Sequence, residues 1–317
     1  MKDIHCPLWG VIRLSDIAVK IIDTFPFQRL HYIKQTGLAY KVFPSATSTR
    51  FEHSIGVYHT TRLFLNHLLT AEENFIISER TQELLCLTGL VHDLGHGAFS
   101  HLFDRLGIHE MSHEERSIGL FRKLVLEYEI PLSEEEVDFI CARIHHPPND
   151  HWYDTLVCNP YSSFDTDKFD YIFRDAMHFG LTVGIHKNRI LHNMKIINNR
   201  VCFCEKIKDE MQSFFEMREK MHRFIYRHPT IQKFQSKFIQ ALRPKLEKID
   251  SLDTFLLYND MYLLQQLPSW KEFEERNIKD EIISKPYHDV QKKLAFDNLL
   301  FYQKKNPTVA FALSFNE

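Results

Sequence analysis

The sequence predicts a mainly α-helical protein, with a helical core to about residue 230 and a smaller α+β lobe over 231–317. Three observations lead there. Apolar side chains recur at helical spacing through most of the chain. Apolar residues make up 44% of the 317, and 26 are phenylalanine, bulky filler for a large interior. Only a few short stretches read as β, too few for a large sheet.

In chain order, Leu38 to Phe43 reads as a small strand. Arg50 to Gly56 opens an amphipathic helix, Phe64, Leu65, Leu68 and Leu69 recur on one helical face, and Leu84, Leu87, Leu90 and Val91 do the same. Ile196 to Phe203 reads as a hairpin turning on Asn198-Asn199, since asparagine tolerates positive φ. Cys202 and Cys204 then share one face of its second strand, as packing. Phe214, Phe215, Met221, Phe224 and Ile225 resume the helical spacing, followed by Phe234, Phe238 and Leu242. Thr308 to Leu313 reads as a terminal strand. The lobe over 231–317 is expected to serve oligomerisation.

Charge and cysteine usage exclude several classes. The net charge is −3, which disfavours a protein that coats nucleic acid but leaves room for a local basic pocket. The 6 cysteines form no Cys-x-x-Cys pair, so neither a zinc ribbon nor a disulfide framework is expected. No signal-like apolar run opens the chain and no stretch is apolar enough to cross a bilayer. The expectation is a soluble cytoplasmic protein, or a nuclear one in a eukaryote.

The chemistry concentrates in Gly89-Leu90-Val91-His92-Asp93-Leu94-Gly95-His96-Gly97. An apolar helix delivers an adjacent His and Asp, and two glycines then break it around another histidine. Imidazole nitrogen and carboxylate oxygen together can hold one cation where a helix ends. The dipeptide alone decides little, because His288-Asp289 repeats it without the helix or the glycines and reads as surface. Arg50-Phe51-Glu52-His53 adds His53 upstream, and Asp165-Thr166-Asp167-Lys168 adds Asp167 at a helix start. His53, His92, Asp93 and Asp167 make an ordered H…HD…D set. A mixed N/O set without thiolate suits Mn, Fe, Zn or Ni. A cation held this way acidifies bound water and polarises phosphoryl oxygen, as phosphate-ester hydrolysis requires.

This quartet is the signature of the HD superfamily, and the chain resembles its deoxynucleoside triphosphate triphosphohydrolases. The resemblance covers residues 1 to about 229, in blocks that include Phe27-Gln28-Arg29-Leu30, Arg50 to Gly56, His92 to Asp104 and Asp167 to Asp175. It implies an HD-domain helical core, one transition-metal ion, Mg2+ accompanying the substrate phosphates, a nucleotide substrate and a homo-oligomer of two or four chains. No membrane or nucleic-acid partner is expected. By the same resemblance, His101 and His113 match histidines near the scissile phosphate. Asp104 matches their proton-relay carboxylate and His96 a further active-site histidine. Arg50, Lys168 and Tyr171 match triphosphate-holding groups, and Gln35 and Asp175 groups that bond the sugar 3′-hydroxyl. Tyr226 matches the ring that stacks on the sugar, and Arg218 and His222 line the same pocket. Two alternatives stay open: His113 lies in a charged run that fits a solvated helix face, and Tyr226 shares an aromatic stripe with Phe224 that core packing would explain.

The departures fall in two places. Thr36 stands where the family commonly has a bulky apolar residue beside the sugar, and Arg227 where vertebrate members have glutamine. On the family's regulatory surface, Lys2, Asp23, Gln28, Arg189 and Lys206 match, but His31, Cys204 and Pro229 replace basic residues and His5 a polar amide. Losing those cations weakens attraction for a polyphosphate activator, so activation is expected to be absent or altered.

Overall fold

A computed structural model describes residues 1–71, 77–269, 271, 273, 298–303 and 306–312. The chain opens with an antiparallel hairpin, β1 (Lys2–Cys6) and β2 (Gly10–Leu14), then the short helices α1 (Asp16–Ile22) and α2 (Phe25–Gln28). The long α3 (Arg50–Ala71) follows and packs most extensively on α4 (Glu79–Val91). Gly89 permits that approach: a methyl there would lie 2.9 Å from Thr61 Oγ1 and 3.0 Å from the Val57 carbonyl oxygen. The close crossing sets His53 on α3 against His92 at the end of α4.

Then come α5 (His101–Leu106), α6 (His113–Glu127) and α7 (Glu134–Cys141). Capping boxes start α6 and α7, with Ser112–Glu115 and Ser133–Glu136 satisfying first-turn amides reciprocally. Next, α8 (Thr166–His178) begins where the Asp165 carboxylate accepts from Lys168 N at 2.9 Å, which puts Asp167 in its first turn. After α9 (Lys187–Leu191) come β3 (Met194–Ile197) and β4 (Arg200–Cys204), then α10 (Lys208–Met221), α11 (Pro229–Leu242), α12 (Leu252–Leu256) and α13 (Asp260–Gln265). Finally, β5 (Leu300–Gln303) and β6 (Asn306–Ala312) complete a sheet of order β3-β4-β5-β6.

The phenylalanines do what their number suggests. Phe164 packs 5.0 Å from Phe203, 5.1 Å from Phe214 and 5.9 Å from Phe64, while Phe64 and Phe169 lie 5.1 Å apart, centroid to centroid. This cluster ties α3, α8, α10 and β4 together two residues from Asp167.

The mainly α architecture agrees with the sequence reading, as does the β3–β4 hairpin, where Asn198 and Asn199 take φ of 49° and 56°. Cys202 and Cys204 are both buried on β4. The terminal strand is β6, and Leu313 and His288-Asp289 lie outside the described residues. Two readings need correction. Leu38 to Phe43 is no strand: Gly37–Lys41 forms a 3-10 helix, with Ala39 N bonding Thr36 O and Val42 N bonding Ala39 O. Leu38 and Ala39 are consecutive and both buried, which a two-sided strand alternation does not allow. Phe224 also leaves the core stripe, 50% exposed, because His222–Tyr226 is a π-helical turn that shifts the helical phase. None of the described helices is long and apolar enough to cross a membrane.

Candidate active site

The four H…HD…D side chains meet. His53 Nε2 lies 3.1 Å from Asp167 Oδ1 and 3.4 Å from Asp93 Oδ2, and His92 Nε2 lies 3.4 Å from Asp93 Oδ1 and 3.6 Å from Asp167 Oδ1. The tautomers follow from the far side of each ring. His92 Nδ1 is 2.8 Å from the Gly89 carbonyl, which only accepts, so Nδ1 carries the proton. His53 Nδ1 is 2.8 Å from Asp170 Oδ2, and Asp170 is ionised: burial alone would raise it, but Arg174 and His53 bring it to about 2. Both Nε2 atoms therefore face carboxylates, and against burial those anions raise His53 to about 9 and His92 above the ordinary histidine value. His92 Nε2 is buried without a hydrogen-bond partner. A divalent ion can displace the protons those anions hold on Nε2, and two imidazoles with two carboxylates are a donor set that fits it. Asp93 is held well below the usual carboxylate range against burial, by Arg50, His92 and His96, so it too is ionised. Arg50 bonds it directly through NH1.

A second cluster adjoins this one. The His96 ring stacks on His113 at 4.2 Å, and His101 sits 5.0 Å from His96 and 5.3 Å from His113. His113 thus faces the cluster and not solvent. Asp104 Oδ2 lies 3.8 Å from His113 Nδ1 and 4.0 Å from His101 Nδ1, while its Oδ1 accepts from Arg116 NH2 at 2.5 Å. The His101 side chain is 71% exposed at the cavity mouth. Burial, with Arg50 and His113 close by, pushes His96 well below the ordinary histidine value, so it is neutral.

Gly95 lets α6 approach. A methyl there would lie 2.8 Å from the Arg116 carbonyl carbon and would also strike the backbone of His113 and Ser117. Gly95→Ala is expected to push α6 outward, separate His113 from His96 and lower stability by about 1–3 kcal/mol in urea melts.

Beside both clusters lies a cavity of about 470 Å3. Its lining includes Gln35, Arg50, Asp93, His96, His101, His113, Asp167, Lys168, Tyr171, Asp175, Arg218, His222 and Tyr226. On a chain of charge −3, the cations Arg50, Arg105, Lys168, Arg218 and Arg227 all border this one space. Lys168 Nζ is also held by the buried Asp165 at 2.6 Å, and Arg218 Nε donates to Tyr171 Oη at 3.1 Å. The far wall is polar and unsatisfied: Gln35 Oε1, Thr36 Oγ1 and Asp175 Oδ1 are buried without hydrogen-bond partners. Tyr226 does more than pack, since its hydroxyl donates to Asp175 Oδ2 at 2.6 Å. Burial pushes Asp175 up to about 6, against that bond.

Residues 50–159 match the HD domain family. The chain thus carries an HD domain. It is similar to a deoxynucleoside triphosphate triphosphohydrolase SAMHD1 homolog of Dictyostelium discoideum, 31% identical over 291 residues that cover 89% of this chain and 54% of that one. It is also similar to a putative HD domain-containing protein of Acanthamoeba polyphaga mimivirus, 31% identical, covering 80% and 62%. Human deoxynucleoside triphosphate triphosphohydrolase SAMHD1 is 34% identical over 262 residues, covering 72% and 42%. The chain thus spans about half the length of these relatives.

The HD domain also relies on residues that sequence reading did not single out. Gln232 and Gln235, one turn apart on α11, line the cavity with Arg105, which bonds both amides. Both sit on the polar side of an amphipathic helix whose buried face carries Ile231, Phe234, Phe238 and Leu242, so nothing local set them apart from solvent-facing residues. Asp260 of α13 accepts from Phe99 N at 2.6 Å and Lys34 N at 3.0 Å, bracing the loop between His96 and His101. There Phe99 and Ser100 both hold φ of 57°. Burial pushes Asp260 up to about 6 despite Lys34. A carboxyl raised on folding stabilises fully below its unfolded value near 3.8, and that contribution is lost as pH rises through about 6. Asp260→Asn is expected to shrink the loss of stability between pH 5 and 7.5 by on the order of 1 kcal/mol, read from urea melts at both pH values.

Proposed function

We propose that this HD domain hydrolyses deoxynucleoside triphosphates to the deoxynucleoside and inorganic triphosphate in a reaction that depends on a divalent transition metal. The observation that carries the reading is the convergence of the two Nε2 atoms with Asp93 and Asp167 at the edge of a cation-lined cavity. The Dictyostelium and human relatives, both named as deoxynucleoside triphosphate triphosphohydrolases, support it.

His53, His92, Asp93 and Asp167 would hold the ion, which when bound supplies an acidified water and a polarised phosphoryl oxygen. Arg50, Lys168 and Arg218 bind the triphosphate, with Tyr171 oriented by Arg218. Water adds to the α-phosphorus, the bond to the 5′ oxygen breaks, and that oxygen takes a proton. His113 and His101, with Asp104 behind them, are placed to deliver it, and His96 neighbours both. Gln35 and Asp175 take the sugar 3′-hydroxyl, whose one proton would go to the orphaned Asp175 Oδ1 while its oxygen accepts from the Gln35 amide, and Tyr226 and His222 flank the ring.

Thr36 favours a second reading. Its small, unpartnered hydroxyl leaves space and a hydrogen-bond partner near the sugar, so ribonucleotides are expected to compete. Incubation with all eight common NTPs and dNTPs under several divalent metals, with chromatography of products, decides between them. Inorganic triphosphate from dNTPs supports the first reading, and its release from NTPs at equal rates supports the second.

Residues 231–317 are assigned to assembly of a homo-oligomer. Lys2, Asp23 and Gln28 border a separate cavity of about 120 Å3, but Cys204 is buried in β4 and Pro229 opens α11, so two expected cations are missing. Assembly is therefore expected to proceed without nucleotide activators. Light scattering with and without GTP and a dNTP checks this, and a strict requirement for both would overturn it.

A further inference from the structure

Asp170 is the most heavily bonded carboxylate behind the metal quartet, and one of its partners comes from far outside the HD motif. Its side chain is fully buried. Each oxygen takes two donors: Oδ2 accepts from His53 Nδ1 and Arg174 Nε, both at 2.8 Å. Oδ1 accepts from Arg174 NH2 at 2.9 Å and from the indole Nε1 of Trp9 at 2.6 Å. Trp9 lies in the turn between β1 and β2. Its ring stacks on Phe169 at 6.1 Å, and Lys187 Nζ sits 4.2 Å above it.

We propose that Trp9 is a positioning residue for the metal centre, acting through Asp170 on His53. The proposal rests on the reading of His53 as a ligand. A carboxylate behind a ligating histidine fixes the ring's tautomer and direction. Asp170 can do so only while its own plane is fixed, and that plane is set by two pairs of donors. Arg174 grips both oxygens along one edge, and the other two positions belong to His53 and Trp9. Without the indole N–H, Oδ1 keeps one donor in a site closed to water, and the carboxylate is free to rotate about its bond toward Arg174. His53 Nδ1 then follows or loses its acceptor, and Nε2 swings off the point where the quartet converges. The N-terminal hairpin is thereby part of the metal site, although it contributes no ligand.

Trp9→Phe isolates the hydrogen bond, because it keeps an aromatic ring beside Phe169 and Lys187 and removes only the donor. The full chain is loaded with Zn2+, and first-order loss of metal to excess EDTA is followed for wild type, Trp9→Phe and Asp167→Ala. Trp9→Phe is expected to release Zn2+ about threefold to tenfold faster than wild type, less than the ~10–100-fold typical when the direct partner of a ligand is removed. The melting temperature of the metal-stripped variant is expected to match wild type. Release at the wild-type rate overturns the proposal while the four-ligand reading stands, provided Asp167→Ala fails to retain Zn2+. Faster release with an equally lowered stripped-state melting temperature also overturns it, since loose hairpin packing would then be the cause. Wild-type protein that holds no Zn2+ overturns both.

Discussion

Asp167→Ala is expected to lower kcat/KM for the preferred nucleotide by about a thousandfold or more while the protein stays folded. The reason lies in the charge arrangement. Asp167 Oδ1 lies within 3.6 Å of both His53 Nε2 and His92 Nε2. It is held well below the usual carboxylate range, against burial, by the neighbouring His53 and His92 rings and the charge of Lys168. Deleting it removes a charged ligand and tips the remaining donors toward Arg50 and Lys168. Loss of the several kcal/mol that a bound ion contributes at a developing phosphoryl charge corresponds to that fall in rate. A modest loss of stability, about 0.3–2 kcal/mol, is expected alongside, because Asp167 is the acidic residue of the first turn of α8 and its charge favours that helix end. Thermal melts beside steady-state rates check both halves. A variant that turns over within tenfold of wild type would remove Asp167 from the ligand set.

Arg29→Met is expected to give the largest loss of stability, about 3–5 kcal/mol. Arg29 is 2% exposed, and its NH2 donates to the carbonyls of Leu94 and His96 at 2.9 and 2.7 Å. Its guanidinium lies 4.7 Å from the centroid of the Phe255 ring, with Arg116 5.0 Å from the same centroid. Burial and the neighbouring Arg116 charge pull its pKa to about 9, so the protein holds this cation at a cost. What it provides is satisfaction of two carbonyls in the loop that presents His96. Methionine fills similar volume but strands both acceptors, at roughly 1–3 kcal/mol each. Urea denaturation gives the stability change. An accompanying fall in kcat/KM is expected because His96 loses its support, and an unchanged rate would mean the loop holds its shape without Arg29.

The site was legible where chemistry is written in neighbouring residues. His92-Asp93 between an apolar helix and two glycines, and Asp167 two residues beyond an N-cap aspartate, carry their own context. The structure brings them together with His53 as the spacing required. The supporting layer was hidden for a physical reason. Trp9 and Asp170, Arg29 and His96, and Asp260 and Phe99 each meet across long stretches of chain, and nothing in the local pattern of either partner announces the other. Arg29 sits in a block that resembles the family, yet resemblance gave it no task. Asp260 lies beyond residue 230, where the resemblance had faded. The two errors of fold have local causes as well. A 3-10 turn over Gly37–Lys41 buries consecutive residues as a short strand in a core would, and a π-helical turn at His222–Tyr226 moves Phe224 out of a stripe whose spacing assumed 3.6 residues per turn.

The most direct test of the central claim is a crystal of the Mn2+-loaded protein, with anomalous diffraction collected at the manganese edge. One strong peak is predicted within ~2.0–2.3 Å of Nε2 of His53 and His92 and of a carboxylate oxygen from each of Asp93 and Asp167. A sole peak among His96, His101, Asp104 and His113, or none at either cluster, would contradict it.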